Sequence, residues 1–404
     1  MKAREAVAVT GMGCICGSGE TLPGAMEALF RGERAPGAPL GFSTDHPEPY
    51  PVFEVPSELP GKPGEPELLR TSRLALRATE EALADAGLDA EGLSAMRVGV
   101  CLGTTVGSAM NNEPFYRSFR EGGHPDMAPI GTFLRSNPAE SVARRYGFTG
   151  PCQTVVNACA SGSDAVGIGA DWIREGLCDL VITGGADELC RVTYNGFASL
   201  MITDTGPCRP FDVRRRGLNL GEGAAVLLLE SPSSIRKRGG RPRGQLHGYG
   251  TACDAFHLTK PSPGGEGLSR AVRQALDEGG IRADDVAFVN AHGTGTPDND
   301  RVEAKVMSEL LPGVPYLSTK GYTGHTLGAA GAIEAAFTLA CLELGRIPGS
   351  VGFGEADSAL GSTPVTEPTP FSGRHALSQS LAFGGNNAVL LLGSPGGPME
   401  TRRA

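Results

Sequence analysis

A chain of 404 residues can bury roughly 75% of the surface it exposes when unfolded, so one large core or two fused ones fit its size. Its 59 glycines and 30 prolines predict a globular chain with many tight turns rather than a low-complexity one. A net charge of −9, from 36 basic and 45 acidic residues, argues against a general nucleic-acid or anionic-membrane binder and leaves acidic partners to local basic patches.

Residues 5–10 (EAVAVT) read as a buried strand broken by GMGCICGSG, followed by a helix over 21–32. Gly11, Gly13, Gly17 and Gly19 do not fit GxGxxG, so they read as a structural turn and not a nucleotide site. Nine prolines between 36 and 66 predict an ordered, irregular surface excursion. A helix from 68 (LLRTSRLALRATEEALADAG) leads to strand 97–102 and the turn GTTVGS. Strand 155–158, helix 160–175, and strands 179–185 and 224–230 follow. After the basic stretch RKRGGRPRG, the plan restarts with helix 266–279, strand 285–291, helix 300–310, strand 315–319 and helix 328–344. This alternation is the mark of an α/β layered fold. It places a seam near 245, with halves of 1–245 and 246–404.

The start, MKAREAVAVTGMG, shows no secretory core, and no stretch approaches 18 uninterrupted apolar residues. Ten cysteines without paired CxxC spacing read as buried thiols in a reducing cytoplasm. Cys159 stands apart, because it lies where a strand gives way to a helix. There the helix N-terminus favours a thiolate, and its free amides can hold an oxyanion. On local features alone, one more buried thiol is the better explanation. His292 (NAHGTGTPDND) and His325 (STKGYTGHTLGAAGA) share a context: each follows an apolar strand, sits in a Gly/Thr turn and precedes a helix. That setting favours neutral rings able to donate a hydrogen bond. Lys320 can tune such a site or simply snorkel to the surface. Glu303 and Asp300, at the start of the next helix, read as dipole partners, with Glu303 structural to the site.

The motifs VVNACASGSDAVG, CRPFDVRRRGLNLGEGAAVLLLE, NAHGTGTPDND, STKGYTGHTLGAAGAIEA and SLAFGGNNAVLLL resemble, in order and over nearly the whole chain, the signatures of condensing β-ketoacyl-acyl-carrier-protein synthases. The resemblance implies a thiolase-like α/β fold of duplicated βαβαβαββ halves in five αβαβα layers, usually dimeric. It also implies an acyltransferase with no metal and no cofactor beyond the phosphopantetheine of its carrier-protein substrates. An acyl group would load on Cys159, and a malonyl-carrier protein would then decarboxylate and attack it. His292 and His325 would assist decarboxylation, with Lys320 supporting the charge arrangement. The N–H groups of Cys159 and Phe383 would form the oxyanion hole, and Phe383 would gate the acyl pocket. Thr294 and Thr296 would hold the pantetheine arm, and Val106 and Phe197 would line the acyl tunnel. Arg209 and Arg70 would dock the acidic carrier protein, whereas Arg214 to Arg216 and the 236–243 cluster read as solvated charge. Such a chain needs no nucleic acid and no membrane span, and pairs with itself or with a chain-length-factor-like subunit.

The chain departs from the usual pattern at Leu381, Ala382 and Asn386, where Phe, Gly and Thr are common, and at Asn157, where Thr is usual. These departures favour a specialised polyketide or polyene pathway over housekeeping fatty-acid synthesis. The alternative, a non-condensing chain-length-determining subunit, is opposed by Cys159, His292 and His325. A thiolase is opposed by the lack of any cysteine beyond Cys341, and an initiating synthase by the second histidine.

Overall fold

The computed structural model describes residues 4–59 and 68–395; the part of the proline-rich excursion from 60 to 66 lies outside them. Ten strands form one mixed sheet: β1 (Val7–Cys16), β2 (Val98–Gly103), β3 (Cys152–Val155), β4 (Leu180–Asp187), β5 (Gly223–Glu230), β6 (Gly244–Cys253), β7 (Val286–Asn290), β8 (Tyr316–Leu317), β11 (His375–Ala382) and β12 (Asn386–Gly393). The short strands β9 (Arg346–Ile347) and β10 (Thr369–Pro370) pair separately. The sheet order is β3-β2-β4-β5-β1-β6-β12-β11-β7-β8, which reads the same from either end once β1 is matched with β6, β2 with β7 and β4 with β11. In each half only β5 or its counterpart β12 runs against the others. The halves join through a short antiparallel pairing of Val7–Val9 with Gly244–Leu246.

Helices Ser161–Arg174 and Ala330–Leu344 contact strands of both halves and each other. They form the central layer, so nearly every residue of the second is buried. Helix Arg70–Asp85 covers β1, β4 and β5 on one outer face, and Glu266–Gly279 covers β6 and β12 on the other. Five layers result, α/β/α/β/α. The span Leu327–Leu344 is long and apolar enough to cross a membrane, but 89% of it is buried inside the protein, as a central core helix must be.

Several expectations change. β1 is not broken after residue 10 but runs through Gly11 and Gly13 to Cys16. A Cβ on Gly11 would lie 2.3 Å from Ala82 O, and one on Gly13 2.1 Å from Ala78 O, so these glycines admit the backbone of helix Arg70–Asp85. The strand expected at 155–158 lies earlier, at Cys152–Val155. Cys152 and Cys253 are exposed, against the expectation of buried thiols. The arginine runs are not solvated charge throughout: Arg215 pairs with Asp357 at 2.8 Å, Arg238 with Glu230 at 2.7 Å, and Arg243 with Asp85 at 2.7 Å and also with Glu343. The proline-rich excursion is pinned through Phe53, whose N–H donates to Leu220 O and whose carbonyl accepts from Glu222 N.

Candidate active site

Cys159 follows β3 on a tight turn and precedes helix Ser161–Arg174 by two residues. Ala158 holds the turn in the left-handed region, at φ 47°, a conformation that costs an L residue about 1–3 kcal/mol and persists only where the surroundings over-determine it. The Ser161 hydroxyl helps to do so, accepting from Asn157 N at 2.8 Å and donating to Ala158 O at 2.6 Å. Cys159 is 4% exposed. Burial pushes its thiol up to about 12, while Lys320 and the Phe383 N–H act to lower it. Desolvation thus works against the lowering expected from the helix N-terminus.

The two histidines arrive from the other half. Glu303, fully buried, accepts from the N–H groups of His292 at 2.7 Å and Gly293 at 2.6 Å, and from Asn299 Nδ2 at 2.8 Å. It thus clamps the turn that presents the first ring, which is more than a dipole partner does. Burial raises the Glu303 carboxyl to about 8 against those donors. His325 is held by its backbone, its N–H donating to Asn219 O at 2.8 Å and its carbonyl accepting from Gly221 N at 3.0 Å. Leu327 N donates to His325 Nδ1 at 3.1 Å, and Lys320 Nζ lies 3.0 Å from His292 Nδ1. Both Nδ1 atoms therefore act as acceptors, and each neutral ring carries its proton on Nε2. Burial first, and the Lys320 charge second, hold both imidazoles well below their usual range. Both influences act in the direction of the neutral rings expected from the sequence. The rings meet edge-on, centroids 5.1 Å apart at 84°.

Lys320 is no surface lysine. It is 1% exposed and ion-paired with Glu334, whose carboxyl burial raises to about 7. Glu334 escaped the sequence reading, although a lone carboxylate inside AGAIEAAFTLAC was a usable signal. Asp187 escaped as well. At the end of β4 it accepts from Thr104 Oγ1, Thr105 N and Gly328 N, each at 2.7 Å, stapling the 104–107 turn to the turn after His325.

Cys159, His292 and His325 open on one cavity of about 160 Å³ that also has Thr294, Thr296, Phe197, Phe383, Leu381 and Ala382 in its wall. The Phe383 ring stacks on Phe197 at 5.3 Å, and Phe197 meets His325 edge-on at 6.5 Å. Thr294 and Thr296 bond hydroxyl to hydroxyl at 2.8 Å. Val106 is not part of this wall; its N–H instead points toward Asp187 at 3.5 Å. Arg70 does not fit the docking role expected of it. Its guanidinium is spent inward on Glu222 and on the carbonyls of Val55 and Ser57. Arg209 lies half-buried in a second concavity of about 410 Å³ with Arg214, Arg215 and Arg216.

A buried thiol, two Nε2 donors and an ammonium set behind one of them define a site for thioester chemistry: a sulfur to take an acyl group and fixed donors to hold a developing oxyanion or enolate. The models of the β-ketoacyl synthase N-terminal and C-terminal domains match residues 4–234 and 243–354. A curated relative, 3-oxoacyl-[acyl-carrier-protein] synthase 2 of Staphylococcus aureus (strain N315), is 32% identical over 97% of this chain and 99% of its own. Among solved structures, "The ishigamide ketosynthase/chain length factor" superposes with a TM-score of 0.90 at 32% identity, covering 98% of this chain and 100% of the other. A β-ketoacyl synthase from Burkholderia phymatum STM815 gives 0.86 at 30%, covering 96% and 99%. The chain belongs to the β-ketoacyl synthase family, a family of acyltransferases.

Proposed function

We propose that this chain is an elongating β-ketoacyl-[acyl-carrier-protein] synthase in which Cys159 takes the acyl group and His292 and His325 drive the decarboxylative condensation. One observation supports this reading: Cys159, His292 and His325, brought from far apart in the chain, line a single small cavity, and the Nδ1 atom of each ring is engaged by a donor, leaving Nε2 to carry the proton. In the first half-reaction Cys159 attacks the carrier-bound thioester. The tetrahedral oxyanion is held by the N–H groups of Cys159 and Phe383, and pantetheine thiol leaves with the proton. In the second, malonyl-carrier protein enters past Thr294 and Thr296 and its thioester oxygen accepts from both Nε2–H groups. Loss of CO2 leaves an enolate, whose carbon attacks the Cys159 thioester; the C–S bond breaks, and the departing thiolate takes up one proton from solvent to restore the thiol. The Lys320 charge behind His292 favours the enolate.

An acidic carrier protein would dock near Arg209 and its neighbouring arginines. We place the enzyme in the cytoplasm, as a homodimer or paired with a chain-length-factor-like subunit. The loop 381–386 at the cavity wall supports a specialised polyketide or polyene pathway, because Ala382 stiffens the segment beside the Phe383 gate. The non-condensing alternative is not favoured, since the three side chains it would dispense with are all present and converge.

Incubating the purified protein with a panel of acyl-carrier thioesters, read by intact-protein mass, tests the assignment. One acyl adduct per chain is expected, absent in Cys159→Ala. An adduct that survives in Cys159→Ala contradicts the nucleophile. Equal turnover of ordinary long saturated chains contradicts the specialised pathway.

A further inference from the structure

We infer that Asn157, Asp164 and Tyr249 form a hydrogen-bonded strut that positions Cys159, tying its turn in the first half to a central strand of the second. Asp164 lies on the first turn of helix Ser161–Arg174. One carboxylate oxygen accepts from Asn157 Nδ2, two residues before the sulfur, and the other accepts from the Tyr249 hydroxyl at 2.7 Å. Tyr249 belongs to β6, the strand of the second half that joins β1. Its ring seats against Gly167 of the same helix, where a Cβ would come within 2.4 Å of Tyr249 Cδ1. The strut therefore reaches across the central layer, from the strained turn at Ala158 to the half that carries His292 and His325.

A buried carboxylate with one donor on each oxygen is a rigid connector, because either donor lost leaves a charged oxygen unpaired. Burial pushes Asp164 up and its two donors pull it down, as expected of a group spent on holding its neighbours. Ser161 braces the Ala158 turn from within the helix, whereas the strut braces it from across the molecule. The sulfur must meet donors built on the other half, and a misplacement near 1 Å costs such a reaction about a hundredfold. Asn157, Asp164 and Tyr249 touch no reacting atom and are positioning residues.

The inference rests on the synthase reading above, and two readouts separate them. Alkylation of Cys159 by iodoacetamide reports the sulfur without any substrate, and single-turnover acyl loading reports the reaction. Tyr249→Phe and Asp164→Ala each cut the connection. Asp164→Asn keeps it, since the amide oxygen accepts from Asn157 and the amide N–H2 donates to a rotated Tyr249 hydroxyl. We expect Tyr249→Phe and Asp164→Ala to slow loading about tenfold with KM unchanged and alkylation altered in parallel, and Asp164→Asn to stay within about threefold of the parent. Tyr249→Phe loading at the parental rate overturns the inference. So does an Asp164→Asn as slow as Asp164→Ala, or a loss that follows Tm alone. If Tyr249→Phe does not fold, the two Asp164 variants give the same comparison. A parent chain that takes no acyl group overturns the synthase reading, and alkylation then decides the strut.

Discussion

The turn that presents Cys159 and the turn that presents His292 have the same backbone handedness but opposite occupants. Ala158 stands at φ 47° and Gly293 at φ 44°. The first pays steric strain at a position where glycine would be free of it, while the second could not be anything else, because a Cβ on Gly293 would lie 2.5 Å from Ser318 Cβ. The nucleophile sits on a turn held by hydroxyl and carboxylate braces. The first proton donor sits on a relaxed turn clamped by Glu303, with Lys320 and Glu334 buried behind it.

The largest break comes from Lys320→Met. It strands the Glu334 carboxylate without its cation at a site 1–2% exposed, and removing one partner of a buried pair costs about 3–5 kcal/mol. Thermal unfolding should show a deep drop in Tm. A Tm unchanged from the parent would mean that Lys320 and Glu334 do not pair. Next is the glycine contrast. Gly293→Ala should cost about 1–3 kcal/mol through overpacking, with loss of condensation. Ala158→Gly should stay within about 1 kcal/mol, because relief of the left-handed strain and the entropy of glycine nearly cancel. Denaturant titration of both variants checks the ordering, and equal losses would erase the contrast between the turns.

Much of this was legible in the residues. Helix 266–279 is found at Glu266–Gly279, because an amphipathic period bounded by glycines needs no tertiary information. The turns that carry Cys159, His292 and His325 stood out locally as strand ends followed by helix starts, but their roles came from the family resemblance and not from those turns. The misses share a cause in long-range contact. Nothing local says that Gly11 and Gly13 lie inside a strand, since the reason is a helix about 70 residues further on. β6 (GQLHGYGTAC) hid its alternation behind glycines that admit the backbone of helix Glu266–Gly279. Arg70 looks like any exposed helix arginine until Glu222, 152 residues away, is seen beneath it. Asp187 carries no motif, and only the fold shows two turns converging on it.

The central claim is a division of labour, with the acyl group held by the first half and decarboxylation driven by the second. Malonyl-carrier-protein decarboxylation and acyl loading, measured separately on Cys159→Ala and on the His292→Ala/His325→Ala pair, test it most directly. The account predicts that Cys159→Ala loses loading and keeps decarboxylation. The histidine variants should still load, while decarboxylation falls by about a hundredfold or more. Decarboxylation at the parental rate without either histidine would contradict it.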